Sequence, residues 1–529
     1  MASPNVGEFR FPDFVPSLYL GLCVDEVSVQ GFEENHGFLA NRSKISDKPR
    51  CGNNDLEFGA EGTVASMTDR LPLEIHILIF ELYRDSCPNW SLMMLGAVCR
   101  TWRSIAWSAP HLWTTLDICL SERPTDTWFQ LLGEWLTRSK SLPLTIVIET
   151  LSFSIDVGDF PLFYPVIDLI NQSSHRWYAL QISAPSELIT RLSDATCTST
   201  SSILHRLSIT CSSNIFDFPL RKAMPTKLYI SGEVSQVETV TWTNLTRLHI
   251  DDISVIDALK ILPLSPQLLR CSLTVYDNTA GSWLVVTSAP ITHPNLQHLK
   301  FRHVDEFNAS FRTFFRNITL VAIKTLVCFG KLDLTDDSTR ETFVSFLERS
   351  SSHLKNLTFH GSVYAAGHDL IRVAAASPWV MRFKLHQCQE SEEAIDLHAF
   401  LNAFDAHLLD HDEPISVMSQ PLWPNLRSID LSVSDTFPWE LLPRLFATLS
   451  RGPDAQCRPI KLLRIRSMLP SRYAPIYYID QSTVRELSPF ASNTTFHLQI
   501  QRLGLGSSLD LWNRSREYWN VEGQTNEGP

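Results

Sequence analysis

One short pattern recurs along most of this 529-residue chain: apolar, two residues of any kind, apolar, one of any kind, apolar. It reads Trp113-Leu116-Ile118, then Trp177-Leu180-Ile182, Leu204-Leu207-Ile209 and Leu245-Leu248-Ile250. It continues as Leu268-Cys271-Leu273, Leu296-Leu299-Phe301, Ile323-Leu326-Cys328 and Leu354-Leu357-Phe359, then Val380-Phe383-Leu385, Leu426-Ile429-Leu431 and Ile460-Leu463-Ile465. Weaker copies sit at Ile146-Val147-Ile148 and Lys227-Leu228-Tyr229-Ile230. The middle positions 180, 207, 228, 248, 271, 299, 326, 357 and 383 lie 20–31 residues apart. Two apolar residues flanking a single residue point the same way from a β-strand, so each copy predicts a short strand with one buried edge. Strands this far apart need crossovers and pair in parallel. Helix-like segments at 338–348 and 392–409 supply such crossovers. A unit of one strand and one crossover cannot bury its apolar side alone, so the units must stack on one another.

This period is similar to that of leucine-rich-repeat solenoids. Several units share a lead-in, as in Trp242-Thr-Asn-Leu, His293-Pro-Asn-Leu and Trp423-Pro-Asn-Leu, but no regular asparagine ladder follows from them. A doubly wound α/β enzyme also alternates strand and helix, yet its Gly-rich phosphate loop after an early strand is missing here. The steps from 383 to 429 and from 429 to 463 are longer, and the first carries an acidic stretch at 405–413 that predicts an exposed insertion. Phe496–Ile500 predicts a last strand or a cap.

Residues 68–118 follow a different rule. Asp69 can cap a helix with Pro72 in its first turn, where the missing N–H costs nothing. Ile75, Leu78, Ile79 and Leu82 then repeat at helical spacing until Cys87-Pro88-Asn89. A second apolar series runs through Leu92, Leu95, Val98, Cys99, Trp102, Ile105 and Ala106. Two or three short helices are too small a core to be very stable alone, which suits a docking module. The ordered set Leu71-Pro72, Glu74-Ile75, Ile79-Phe80 and Val98-Cys99-Arg100 with Trp102 resembles the F-box. The exit Ala109-Pro110-His111-Leu112-Trp113 resembles that of many fungal F-box proteins. The resemblance implies docking on the Skp-type adaptor of a cullin–RING ubiquitin ligase, with Leu71, Pro72, Ile75, Ile79, Leu95, Val98 and Trp102 for contact or its direct support. Leu78, Leu82 and Ile105 are expected in the module's own core.

The expected fold class is α/β, a short helical F-box-like module followed by a curved leucine-rich-repeat solenoid with a parallel sheet. The expected boundaries are a disordered segment at 1–66, the module at 67–118, the solenoid at 119–500 and a cap with a loose tail at 501–529. No apolar run approaches a membrane span, and the N-terminus lacks the pattern of a secretory leader. Eleven scattered cysteines without C-x-x-C spacing fit reduced thiols, hence a cytoplasmic or nuclear protein. P-loop, G-x-S-x-G and H-E-x-x-H motifs are missing, and Gly504-Leu-Gly506 lacks a third glycine. His407 and His411 stand four apart beside Asp410 and Asp412, which reads as a solvated acidic loop rather than a metal site. No catalytic residue, metal or cofactor is expected.

The resemblance therefore implies a substrate receptor of an SCF-type (Skp–cullin–F-box) ligase, which binds its target on the repeats and catalyses nothing itself. The alternatives are an F-box scaffold without a ubiquitination role and an α/β enzyme with a dispersed site. A net charge of −12 argues against nucleic acid as a general partner. Against that charge, the outward strand positions are basic: Arg206, Arg247, His249, Arg270, His298, Lys300, Arg302, His360, Arg382, Lys384, His386, Arg464 and Arg466. Only Asp117, Asp251 and Asp430 are acidic in the same slots. The expected target-binding residues are Arg247, His249, Lys300, Arg302, Arg382, Lys384 and Arg464, facing an acidic or phosphorylated protein segment.

Overall fold

The computed structural model describes residues 71–86, 91–120, 124–150, 157–192, 203–217, 220, 223–235, 240–276, 290–304, 308–387, 400–401, 423–433, 437, 439–443, 461–468, 478–491, 497–504 and 507–519. Asp69, the 87–89 break, the 405–413 acidic stretch with His407 and His411, and most of the 392–409 crossover lie outside them. The chain divides into two compact units, one up to Leu112 and one from Trp113 on.

The first unit holds α1 (Leu73–Ser86), α2 (Ser91–Val98) and α3 (Arg100–Ser108). The second apolar series is two helices, split at Cys99. That residue is extended (φ −158, ψ 171), and its Sγ accepts the Trp102 N–H, capping α3.

In the second unit, strands and helices alternate as the period requires. The strands are β1 (Thr115–Cys119), β2 (Leu144–Glu149), β3 (Trp177–Ala184), β4 (Arg206–Asp217), β5 (Lys227–Ser235), β6 (Arg247–Ser254), β7 (Arg270–Tyr276), β8 (Ile291–His293), β9 (His298–His303) and β10 (Ile318–Leu320). They continue with β11 (Thr325–Phe329), β12 (Leu332–Asp333), β13 (Asn356–Gly361), β14 (Val363–Tyr364), β15 (Arg382–Gln387), β16 (Ser428–Val433), β17 (Leu462–Met468), β18 (His497–Gly504) and β19 (Ser507–Asp510). Crossover helices include α4 (Asp126–Arg138), α5 (Tyr164–Asn171), α6 (Ser186–Thr190), α7 (Val255–Leu264), α8 (Ala309–Arg316), α9 (Asp337–Ser350) and α10 (Gly367–Ala375). The expected 338–348 helix is α9, capped by Asp336, which accepts from the Ser338 and Thr339 N–H groups.

Among the described residues one sheet has 15 strands, in the order β1-β2-β3-β4-β5-β6-β7-β9-β11-β13-β15-β16-β17-β18-β19. Only the last pair, β18 with β19, is antiparallel. The weak copies at 146 and 228 are full members, as is the expected last strand through residues 497–500 of β18, while Phe496 lies outside the described residues. The register follows the sequence motif without a slip at its middle position. Leu116 pairs with Ile146, then Leu180, Leu207, Leu228, Leu248, Cys271, Leu299, Leu326, Leu357, Phe383, Ile429, Leu463 and Leu498. From Leu116 to Leu463 these side chains are at most 3% exposed, as is the second row from Ile118 to Ile500. A one-residue slip would turn both rows to water, so burial itself fixes the register.

A backbone seam stands where strict repeats would use asparagines. From the 207 position to the 429 position, the carbonyl two residues before the middle accepts two N–H groups from the next unit. His205 accepts from Thr226 and Lys227, and Thr226 from Thr246 and Arg247. The same pair recurs at Thr246, Leu269, Gln297, Lys324, Lys355, Met381 and Arg427. The lead-in residues bury instead of laddering. Trp423 donates its Nε1–H to Ser377 Oγ (3.1 Å), and His293 Nε2 lies 3.0 Å from the Ser265 carbonyl of the preceding unit. His293 Nδ1 accepts the Leu296 N–H at 3.1 Å, and burial lowers its pKa, so the ring is neutral with its proton on Nε2.

Behind the sheet, buried rings join successive units. Phe301 meets Phe314 (4.5 Å between centroids), Phe315 meets Phe346 (4.7 Å), Phe343 meets Phe359 (5.9 Å) and Phe383 meets Trp423 (4.6 Å). Gly330 and Gly361 end their strands at φ 117 and 114, and a Cβ on Gly361 would stand 2.4 Å from the Gly330 carbonyl oxygen. Two substitutions test this packing. Leu357→Asp leaves a charge between two units and is expected to cost about 3–5 kcal/mol, with hydrogen-exchange protection lost on β11 and β15 as well as β13. Gly361→Ala is expected to cost about 1–3 kcal/mol in urea unfolding, because backbone must move and the φ is strained.

Candidate interaction surfaces

The aliphatic stripe of α1 does not make the module's core. The face turned inward carries His76 and Phe80, both at most 2% exposed. Phe80 lies against the half-buried Trp102 ring (centroids 5.0 Å apart), and His76 meets the same ring edge-on at 6.3 Å. His76 Nδ1 is 3.2 Å from the Pro72 carbonyl, which also accepts the Ile75 and His76 N–H groups and so starts the helix. The outward face carries Ile75, Leu78, Ile79 and Leu82 at i, i+3, i+4 and i+7. Leu78 and Leu82 are 51% and 61% exposed, which corrects the expectation that they pack the core; Ile105 is half-buried. The reason is competition for a small interior, which the larger Phe80 and Trp102 rings fill.

Leu71, Pro72 and Val98 are exposed with Ile75 and Ile79, while Leu95 is buried and can act only by support. Leu73 and Met94 are exposed too, and the sequence reading passed over them. Inside the unit, a Cβ on Gly96 would overlap the Trp107 ring, so only glycine lets α2 and α3 close there. Arg103 Nε donates to the Gly96 carbonyl at 2.7 Å. His76 Nε2 and Trp102 Nε1 are buried without a hydrogen-bond partner. An apolar outer stripe of this kind is a surface that a partner can cover.

On the strand face, the outward residues form rows across the sheet. Just before the middle position, Arg206, Lys227, Arg247, Arg270 and His298 are consecutive partners on five neighbouring strands. Lys227 sits in a slot the motif itself defines, yet the weak copy hid it. The seven expected target-binding residues do not converge on one point. Arg247 and His249 lie on β6, Lys300 and Arg302 on β9, Arg382 and Lys384 on β15, and Arg464 on β17. Some are already engaged. His249 stacks on Tyr229 (4.5 Å) and lies 3.0 Å from Asp251. Burial works against the Asp251 carboxylate, but hydrogen bonds from His249, Thr274 and Tyr229 outweigh it and hold its pKa low. Arg464 and Arg466 both reach the buried Asp430, at 3.4 and 2.7 Å.

Three positions beyond the middle, Arg302, Phe329, His360 and His386 are neighbours in register. Their rings form a stack: Phe329 on His360 at 4.7 Å, His360 on His386 at 4.4 Å, with Arg302 over Phe329 at 5.2 Å. His386 Nδ1 is 3.0 Å from Ser432 Oγ. Burial first, then the cations nearby, push both histidines down to about 4. The unfolded chain binds these protons near pH 6.5 and the folded chain only near pH 4, so their contribution to stability is whole above 6.5 and is lost as pH falls toward 4. The urea midpoint should decline over that range, and His360→Gln with His386→Gln should flatten the decline.

Residues 68–119 match the F-box-like family, a segment that spans the helical unit and its exit through β1. No curated protein matches the chain. Among solved structures, the chain is similar to one described as "Crystal structure of Rad7 and Elc1 complex in yeast", at 8% identity and a TM-score of 0.31, over 80% of this chain and 92% of that one. That likeness is too distant to bear on fold or function. The helical unit is an F-box-like domain, and the strands that follow it form a mixed α/β repeat array.

Proposed function

We propose that this protein is the substrate-recognition subunit of an SCF-type cullin–RING ubiquitin ligase. The F-box-like domain docks on a Skp-type adaptor, which links the chain to a cullin. The strand face of the repeats binds the target, an acidic or phosphorylated protein segment. The chain performs no chemistry in this reading. It raises the effective concentration of target lysines near a ubiquitin-charged enzyme held elsewhere in the complex.

The observation that carries the reading is the orientation of α1. Leu73, Ile75, Leu78, Ile79 and Leu82 face out and its histidine faces in, within the segment that matches the F-box-like family. Contiguous apolar surface of this kind marks a binding site. Ile79→Asp with Leu82→Asp changes only outward positions and should leave the far-ultraviolet circular dichroism unchanged. Binding to a purified Skp-type adaptor should weaken by about 2 kcal/mol or more, roughly 30-fold, as expected for central anchors. Wild-type affinity in this variant would remove the assigned face. In cells, proteins captured by the intact chain should accumulate when the proteasome is blocked, an outcome that a scaffold without a ubiquitination role would not give.

A further inference from the structure

Eight outward residues on four neighbouring strands tile a small rectangle. One row is Lys300, Val327, Thr358 and Lys384, on β9, β11, β13 and β15. The row beside it, two residues along each strand, is Arg302, Phe329, His360 and His386. Strands in a sheet are about 4.8 Å apart, so three steps separate Lys300 from Lys384 by about 14 Å, and the two rows by about 7 Å. Lys300, Lys384 and Arg302 mark three corners. The floor between them is low and largely apolar: Val327 and Thr358 are at most 9% exposed although they point outward. The Phe329–His360–His386 stack borders that floor.

The charge at the corners is available. Among the described residues, Lys300, Lys384 and Arg302 make no ion pair. Asp430, in register beside Lys384, is buried and held by Arg464 and Arg466. Their commitment to Asp430 also removes the two arginines that could have converged on a phosphate. Single cations about 14 Å apart suit separate carboxylates better than one phosphate group.

We propose that this tile docks an extended acidic segment of the target, with two carboxylate side chains flanking an aromatic or aliphatic one. An extended chain advances about 3.4 Å per residue and repeats its facing every second residue. Residues p, p+2 and p+4 therefore face the same way and span about 14 Å. Carboxylates at p and p+4 meet Lys300 and Lys384, and the apolar side chain at p+2 rests on Val327, Thr358 and the ring edges. Single-stranded nucleic acid fits less well. The rings spend their faces on one another and present edges, whereas a base needs an open face, and the chain carries a net charge of −12.

This inference deepens the target-binding reading above and rests on the strand face being the target side. The test is fluorescence anisotropy with the full chain and a labelled peptide of sequence Glu-Ser-Phe-Ser-Glu in a Gly/Ser context. The expected result is binding that weakens about tenfold or more in Lys300→Glu with Lys384→Glu, partially in Lys300→Gln with Lys384→Gln, and with added salt. Replacing both peptide glutamates by glutamine, or its phenylalanine by serine, should have comparable effects. No binding at millimolar peptide, binding indifferent to the lysine changes, or an oligothymidine competing at equal affinity would each overturn the proposal. The same charge-reversed chain should hold the adaptor normally, and Ile79→Asp with Leu82→Asp should still bind peptide, so the two readings fail separately.

Discussion

The in-register parallel ladder is the constraint on which the rest of this structure depends. From β1 to β17 each strand of the large sheet offers two apolar side chains to the interior, and from β5 to β17 each unit donates two N–H groups to the carbonyl just before the preceding strand. Neither element is stable singly, because a lone strand cannot bury its side chains and a lone carbonyl gains little over water. Repeated from β1 to β18, they reinforce one another. The crossovers can then vary from short turns to full helices such as α9, because the seam holds the units in step whatever lies between. The wide range of spacings in this chain is tolerated for the same reason.

That regularity turns sequence into surface chemistry. In register, a residue type repeated at one slot becomes a row of like side chains a few ångströms apart. Arginines and lysines before the middle position become the cation row from Arg206 to His298. Rings beyond it become the Phe329–His360–His386 stack. The crowding has a cost in protonation. Histidines among cations and half out of water stay neutral near pH 7, and that neutrality lets them stack face to face without mutual repulsion.

The helical unit works by the opposite logic. Its few residues cannot bury all their apolar surface, so choice falls on the bulkiest rings, and the aliphatic stripe of α1 remains outside. A partner that covered this stripe would add its binding free energy to the unit's stability.

Strand positions, their parallel sense and even their register were legible in the sequence, because a period of two inside each strand and a 20–31-residue period between strands leave one way to bury every repeated apolar pair. The outward basic slots were legible by the same rule. What the sequence could not assign was which of several equivalent options wins in three dimensions. Helical spacing groups Ile75, Leu78, Ile79 and Leu82 on one face, but only packing against Trp102 decides that this face is the outer one. Cys99 reads as part of an apolar run, and only its Sγ bond to the Trp102 N–H reveals a break between helices. Arg464 and Lys384 look alike as outward cations, yet Arg464 is engaged by Asp430 and Lys384 is not, because ion pairing is set by distances of a few ångströms between strands far apart in the chain. Periodicity is a local property and survives in one dimension; competition for a shared interior or a shared counter-charge exists only once the chain is folded.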